Sequence, residues 1–244
     1  MSSFLRAAHE LGHKDLRKFV FCSGIGCSAW IPSPYIMADS LHVVHGRSIP
    51  VAMGVKLMRP DLNVVVFGGD GDISGIGLSH LIHAARRNLD IMVVMVNNMI
   101  YGMTGGQVAP TTPLGAKTTT TPYGNFEYPL DTTRLVVAAG ASYAARWTTA
   151  HGEQLTAAMK KALTTRGFAF IEAASPCLTA FGRRVGFKDV AEMLRWFQEN
   201  SVPLEQASKQ SEKELVNKIV VGEYVSREVP TLTDNIYKTI EEAK

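Results

Sequence analysis

Hydrophobic positions along the chain fall into two patterns. Short unbroken apolar runs at 64–67 and 91–96 predict buried strands, and Phe19 to Ser23, 142–146 and 168–173 predict three more. Between them the spacing turns helical. Residues 3–12 place Phe4, Leu5, Ala8 and Leu11 on one face, and 48–58 run as a helix until Pro60. Further helices are predicted over 73–87, over 132–139 up to Gly140, over 151–165 up to Gly167, and over 191–199. This alternation predicts an α/β fold, a mainly parallel sheet with helices on both faces.

Two segments stand outside the pattern. Residues 99–130 mix glycine, proline and threonine with little periodicity, and a compact domain rarely carries about thirty irregular residues without a use for them. Tyr101, Tyr123, Phe126 and Tyr128 are unusual in a flexible linker, so an ordered loop covering a ligand is expected. From 205 onward the chain turns polar. The expected division is a ligand-binding domain over 1–204 and an arm over 205–244, packed on that domain or on a partner.

Composition narrows the class. A chain of 244 residues, 46% hydrophobic and 19% charged, buries a full core. Its net charge of +3, with lysines and arginines dispersed, gives no reason to expect nucleic acid. No apolar run is long enough for a membrane span, and residues 1–20 are too charged for a secretory signal. Three cysteines, Cys22, Cys27 and Cys177, do not make a disulfide framework, and a cytoplasmic setting is expected.

The candidate chemistry lies at two strand ends. The apolar run 64–67 leads into Gly68-Gly69-Asp70-Gly71-Asp72, and the run 91–96 leads into Asn97-Asn98. Gly-Asp-Gly alone is ordinary turn chemistry, and Asn-Asn alone is weaker still. Together, with a helix-length segment between them, they have the layout of a thiamine diphosphate site. The glycines allow close approach to a diphosphate. Asp70, the Asn98 side chain and the backbone carbonyl of Ile100 offer Mg²⁺ the hard oxygen ligands it takes.

The next residues sharpen this. With Gly24-Ile25-Gly26-Cys27-Ser28, His45-Gly46-Arg47, the run Asn98-Met99-Ile100-Tyr101-Gly102-Met103-Thr104-Gly105-Gly106-Gln107 and Ser175-Pro176-Cys177, the chain resembles the thiamine-diphosphate-binding β subunit of 2-oxoacid:ferredoxin oxidoreductases. The likeness runs from about Phe4 to about Val202. Phe181-Gly182-Arg183-Arg184 and the segment 192–197 are most similar to the 2-oxoglutarate branch. The resemblance implies that Asp70, Asn98 and Ile100 hold Mg²⁺, and that Gly71 and Asp72 contact the diphosphate, aided by the start of helix 73–87. Gly102 and Met103 are implied on the diphosphate or thiazolium side, with Ile25, Gly26, Cys27 and Ser28 lining the cofactor from another strand. His45 is implied near the thiazolium, and His45 and Thr104 are the candidate catalytic residues.

The implied reaction is oxidative decarboxylation of a 2-oxo acid, with coenzyme A as acyl acceptor. Two electrons pass through a [4Fe–4S] cluster to ferredoxin. An α subunit, with small γ and δ subunits in some assemblies, is the implied partner. Pyruvate or a branched 2-oxo acid in place of 2-oxoglutarate stays open, as does a non-catalytic assembly subunit without its cluster. In the family the cluster has four cysteine ligands. Cys27 and Cys177 match two of them, and the other pair, ahead of the first helix, is absent here. The expectation is a start at an internal methionine, with that pair upstream. A cluster completed by a partner is the alternative, and Cys22, on an apolar strand, is expected to be a small core residue. His42 and His45 fit no usual zinc spacing. His80 and His83 are expected to pack on their helix. Arg47 is open between binding a substrate carboxylate and pairing with an acid inside the domain.

Overall fold

The computed structural model describes residues 1–243. Its strands are β1 (Phe19–Ser23), β2 (Asp39–His42), β3 (Asn63–Gly69), β4 (Met92–Asn97), β5 (Tyr143–Thr148), β6 (Ala169–Ala174), β7 (Ser201–Pro203) and β8 (Ile219–Ser226). The helices are α1 (Ser2–Glu10), α2 (Pro32–Tyr35), α3 (Ser48–Met58), α4 (Leu78–Arg86), α5 (Thr132–Ala139), α6 (Gly152–Thr164), α7 (Arg183–Val185), α8 (Val190–Asn200), α9 (Leu204–Ala207) and α10 (Leu232–Glu242). The strands form one sheet in the order β2-β1-β3-β4-β6-β5-β8-β7, parallel throughout except where β8 runs antiparallel to β5.

Alternation along the buried strands builds two cores. Val64 and Val66 of β3 face α3, α4 and α5, where they meet Ile49, Ala52, Leu81, Ala85 and Val136. Val65 and Phe67 face α1 and α6, where they meet Phe4, Ala7, Leu155 and Met159. Each face is therefore dry, as a parallel sheet requires. Phe4 stands edge-on to Phe19, Phe21 and Phe67 with ring centroids 5.5–6.3 Å apart. Cys22 lies fully buried in the first core, where burial alone pushes its thiol up to about 12. A third cluster, which includes Met99, Ile100, Phe181, Met193 and Phe197, packs beside the strand ends.

Because β1, β3, β4 and β6 run parallel, their C-terminal ends gather on one edge. Ser23 lies beside Phe67, Gly69 beside Val96, and Asn97 beside Ala174. Open parallel sheets bind ligands outside that edge.

Three features differ from the sequence expectation. The helix expected over 73–87 is two pieces: a π-helical turn over Gly71–Ile76, broken at Gly75 (φ −88°, ψ −107°), and then α4. No regular helix N-terminus therefore stands directly after Asp72. β2 carries no apolar signal because all four of its residues are exposed. The chain beyond 204, expected as an arm packed on the domain or on a partner, contributes strand β8 to the sheet itself. Ile219, Val220 and Val221 are buried, and β8 covers the edge of β5. Tyr224 of β8 accepts a hydrogen bond from the buried Arg146 at 2.9 Å. Among the described residues no helix is long and apolar enough to cross a membrane.

Ending the chain at residue 204 would expose the β5 edge and leave Arg146 short of a partner. That truncation is expected to aggregate or to melt without cooperativity by calorimetry. A soluble 1–204 fragment with a sharp transition would show that the last forty residues are dispensable to the fold.

Candidate active site

β3 runs into Gly68 and Gly69, and the chain then turns sharply at Asp70. Gly71 is required at the turn, because a Cβ there would overlap the Tyr101 ring, whose hydroxyl donates to the Gly71 carbonyl at 3.1 Å. Asp70 is buried. Its carboxylate accepts from the Thr111 hydroxyl and from the backbone N–H groups of Gly71 and Asn98. Burial outweighs these bonds and raises its pKa to about 6.

The β4 end is built differently. Met99 adopts a left-handed backbone with φ 65°, uncommon for a residue that is not glycine. The Asn97 side chain holds this turn: its Oδ1 accepts from the Met99 N–H at 3.0 Å and its Nδ2 donates to Glu172 at 2.8 Å. Glu172 also accepts from the Thr133 hydroxyl at 2.5 Å and meets the Arg146 guanidinium at 2.8 Å. Arg146 reaches on to Asp131 at 2.5 Å. A buried ionic chain thus fixes the first asparagine and leaves the second, Asn98, at the cavity wall.

That cavity has a volume of about 780 Å³. Ile25, Gly26, Cys27 and Ser28 line it after β1, and His45 lines it ahead of α3. Asp70, Gly71 and Asp72 line it after β3, and Asn98, Ile100, Gly102, Met103 and Thr104 after β4. Cys177 stands just behind this wall. A Cβ on Gly102 would lie 3.5 Å from the Cys177 Sγ and 3.7 Å from the Cys27 Sγ, so both thiols flank that glycine. Burial and then the neighbouring Cys177 raise the Cys27 pKa.

Several residues take other roles than expected. The Asp72 side chain is 1% exposed and turned toward His45 and the Gly46 N–H. Any contact of Asp72 with a diphosphate would fall to its backbone. Arg47 finds no carboxylate; it donates to the Ile76 carbonyl at 3.4 Å and approaches His80 Nε2 at 2.9 Å, tying the π turn to the start of α3. His80 therefore does more than pack, while the Thr104 hydroxyl is engaged by Gln107 at 2.6 Å. The loop over 99–130 is held by polar side chains and by Tyr101, with its other aromatics playing little part. Asn125 donates to the carbonyls of Thr112 and Glu127, and Thr112 donates to Met99. Tyr123, Phe126 and Tyr128 are exposed. Thr111, Asn97, Glu172 and Arg146 were missed from sequence. Only Asn97 carried a signal, as the first of the Asn-Asn pair.

The residues fit the group that the motif implies. Asp70, the Asn98 amide and the Ile100 carbonyl supply hard oxygens from adjacent strand ends, and Asp70 is a buried carboxylate with no cationic side chain paired to it. A divalent cation completes such a set.

Comparison with known proteins places the chain among thiamine pyrophosphate enzymes: residues 24–173 match the "Thiamine pyrophosphate enzyme, C-terminal TPP binding domain" family. The 2-oxoglutarate synthase subunit KorB of Methanocaldococcus jannaschii is 50% identical over the whole chain, which spans 90% of that protein. The β subunit of the 2-oxoacid:ferredoxin oxidoreductase of Saccharolobus solfataricus is 41% identical over 73% of the chain and 59% of its own length. A solved structure of 2-oxoglutarate:ferredoxin oxidoreductase from Magnetococcus marinus, with 2-oxoglutarate, coenzyme A and succinyl-CoA bound, superposes with a TM-score of 0.86 at 33% identity. The superposition covers 99% of this chain and 82% of that one. The chain belongs to the β subunits of the 2-oxoacid:ferredoxin oxidoreductases, the family that includes these 2-oxoglutarate enzymes.

The buried Asp70 makes a pH prediction for the cofactor-stripped protein. Its folded pKa of about 6 lies above its value in an unfolded chain. The stability it contributes is therefore present at low pH and lost as pH rises through about 6, by of order 2–3 kcal/mol. Asp70→Asn, which cannot ionise, is expected to flatten that loss and to melt no lower than the parent at pH 7.5. Melting curves of both stripped proteins at pH 5 and 7.5 check this. Parallel pH dependence in the two would contradict the assignment.

Proposed function

We propose that this cavity holds thiamine diphosphate and Mg²⁺, and that the chain works with an α subunit to oxidise 2-oxoglutarate. The products are succinyl-CoA and CO₂, with coenzyme A as acyl acceptor and two electrons delivered to ferredoxin. The observation that carries the reading is the convergence of Asp70, Asn98 and Ile100 from two adjacent parallel strands on one cavity wall. When bound, thiamine diphosphate supplies the electron sink that allows a 2-oxo acid to lose CO₂.

The chain's own residues bind and orient. Asp70, the Asn98 Oδ1 and the Ile100 carbonyl hold the metal, and the backbone at Gly71, Asp72 and Gly102 approaches the diphosphate. Ile25, Gly26 and Met103 give the cavity its apolar wall. Cys27 and Cys177, whose thiols flank Gly102, would supply only two of the four thiolates that a [4Fe–4S] cluster takes. The third cysteine of this chain, Cys22, is buried in the core, so the cluster's remaining ligands lie outside these residues. The similarity at full length to 2-oxoglutarate synthase subunits favours 2-oxoglutarate over pyruvate or a branched 2-oxo acid.

The test is viologen reduction by the assembled complex, prepared anaerobically and offered 2-oxoglutarate, pyruvate and a branched 2-oxo acid. The highest kcat/KM is expected with 2-oxoglutarate. Asp70→Ala is expected to cost at least about 10³-fold in turnover, together with bound thiamine diphosphate, because it removes the charged metal ligand. Full turnover in that variant would move the site elsewhere, and a preference for pyruvate would change the substrate.

A further inference from the structure

His45 stands at the cavity wall with its side chain about one-third exposed, and one of its ring nitrogens is fully occupied by the protein. Nδ1 lies 2.9 Å from Asp72 Oδ1 and 3.2 Å from the Ile25 carbonyl. Both partners are acceptors, so Nδ1 carries the hydrogen; it donates to the Ile25 carbonyl while Asp72 Oδ1 lies in ion-pair contact with the same nitrogen. Nε2 has no protein partner among the described residues.

Asp72 is built for this contact. Its Oδ1 also accepts from the Gly46 N–H at 2.6 Å, while its Oδ2 is buried without a hydrogen bond. The carboxylate fills the space that a Cβ on Gly24 would take, and Gly46, at φ 73°, turns the chain so that its N–H meets the acid directly after His45. A carboxylate clamped in this way, with its side chain 1% exposed, adds nothing favourable to a diphosphate, which repels it.

We propose that Asp72 is a positioning residue for His45: it fixes the ring with the proton on Nδ1, so that Nε2 faces the cavity as its proton acceptor and, once protonated, its proton donor. This rests on the cavity being the thiamine diphosphate site. The step balances without a further reagent. Bound thiamine diphosphate would supply the carbanion pair for the new bond to the keto carbon of the 2-oxo acid, and the C=O π pair would then move onto oxygen. That oxygen takes the proton from Nε2 of the imidazolium, leaving neutral imidazole and an unchanged Asp72 carboxylate. Solvent water returns the proton to Nε2.

The experiment uses the assembled complex in four forms: parent, Asp72→Asn, His45→Asn and the double variant. Each is measured for kcat and KM with 2-oxoglutarate, for thiamine diphosphate affinity by tryptophan quenching, and for melting temperature. Each single substitution is expected to lower kcat about 10²- to 10³-fold, the range of positioned proton transfer, with KM and cofactor affinity within about threefold of the parent. The double variant is expected to be no slower than the slower single, because both act through one imidazole ring. Losses that multiply in the double variant would overturn the proposal. So would a tenfold loss of thiamine diphosphate affinity in Asp72→Asn with kcat restored at saturating cofactor. His45→Asn keeps an amide donor for Asp72 and therefore its fold. If Asp72→Asn melts early, undiminished turnover in His45→Asn overturns the proposal by itself. A parent complex that fails to bind thiamine diphosphate would instead overturn the cofactor reading.

Discussion

A parallel strand pair that ends side by side is the constraint on which the rest of this molecule depends. β3 and β4 are hydrogen-bonded neighbours through Gly69 and Val96, so the residues that follow them emerge on one cavity. The sheet buries Asp70 there without a compensating positive side chain, and the fold accepts an ionisable group whose neutral form it favours when empty. A bound divalent cation reverses that preference. The surrounding apparatus serves this pair of strand ends: the π turn that carries the chain away from Asp70, the left-handed Met99, and the polar loop whose Thr111 hydroxyl returns to the Asp70 carboxylate.

The second strand end is held from far away in sequence. Asn97 is positioned by Glu172 on β6, Glu172 is neutralised by Arg146 on β5, and Arg146 is shared with Asp131 and with Tyr224 on β8. Buried ion pairs are weak sources of stability but strict ones of geometry, since each member left alone is costly. The antiparallel β8 strand is therefore coupled to the turn that presents Asn98 through four side chains, which gives the C-terminal segment a role at the cavity it never touches.

Much of this was legible in the residues. Helices at 48–58 and 132–139 match α3 and α5 to the residue, because Pro60 and Gly140 punctuate clean apolar patterns. Strands β3 and β4 were readable as unbroken apolar runs, and Gly69, Asp70, Gly71 and Asn98 line one cavity at their ends. What escaped was whatever depends on contacts distant in sequence. β2 is wholly exposed, and the short apolar core of β8 lies in a polar stretch, so neither shows a face pattern. The split of the 73–87 segment follows from the broken backbone at Gly75, which periodicity does not register. Asp72 looked like a diphosphate contact from its place beside Gly71, and only the approach of His45 and Gly46 from another loop turns it away. Apart from Tyr101, the aromatic residues of the long loop argued rightly for order but through the wrong agents, since threonine and asparagine hydroxyls and amides tie it down.

The most direct test of the central claim is anomalous diffraction from the anaerobic complex grown with thiamine diphosphate and Mn²⁺ in place of Mg²⁺. The account predicts one strong manganese peak between the Asp70 carboxylate, the Asn98 Oδ1 and the Ile100 carbonyl, at metal–oxygen distances near ~2.2 Å, with the cofactor's phosphates completing the shell. A manganese peak elsewhere, or thiamine diphosphate bound with those three oxygens unliganded, would contradict it.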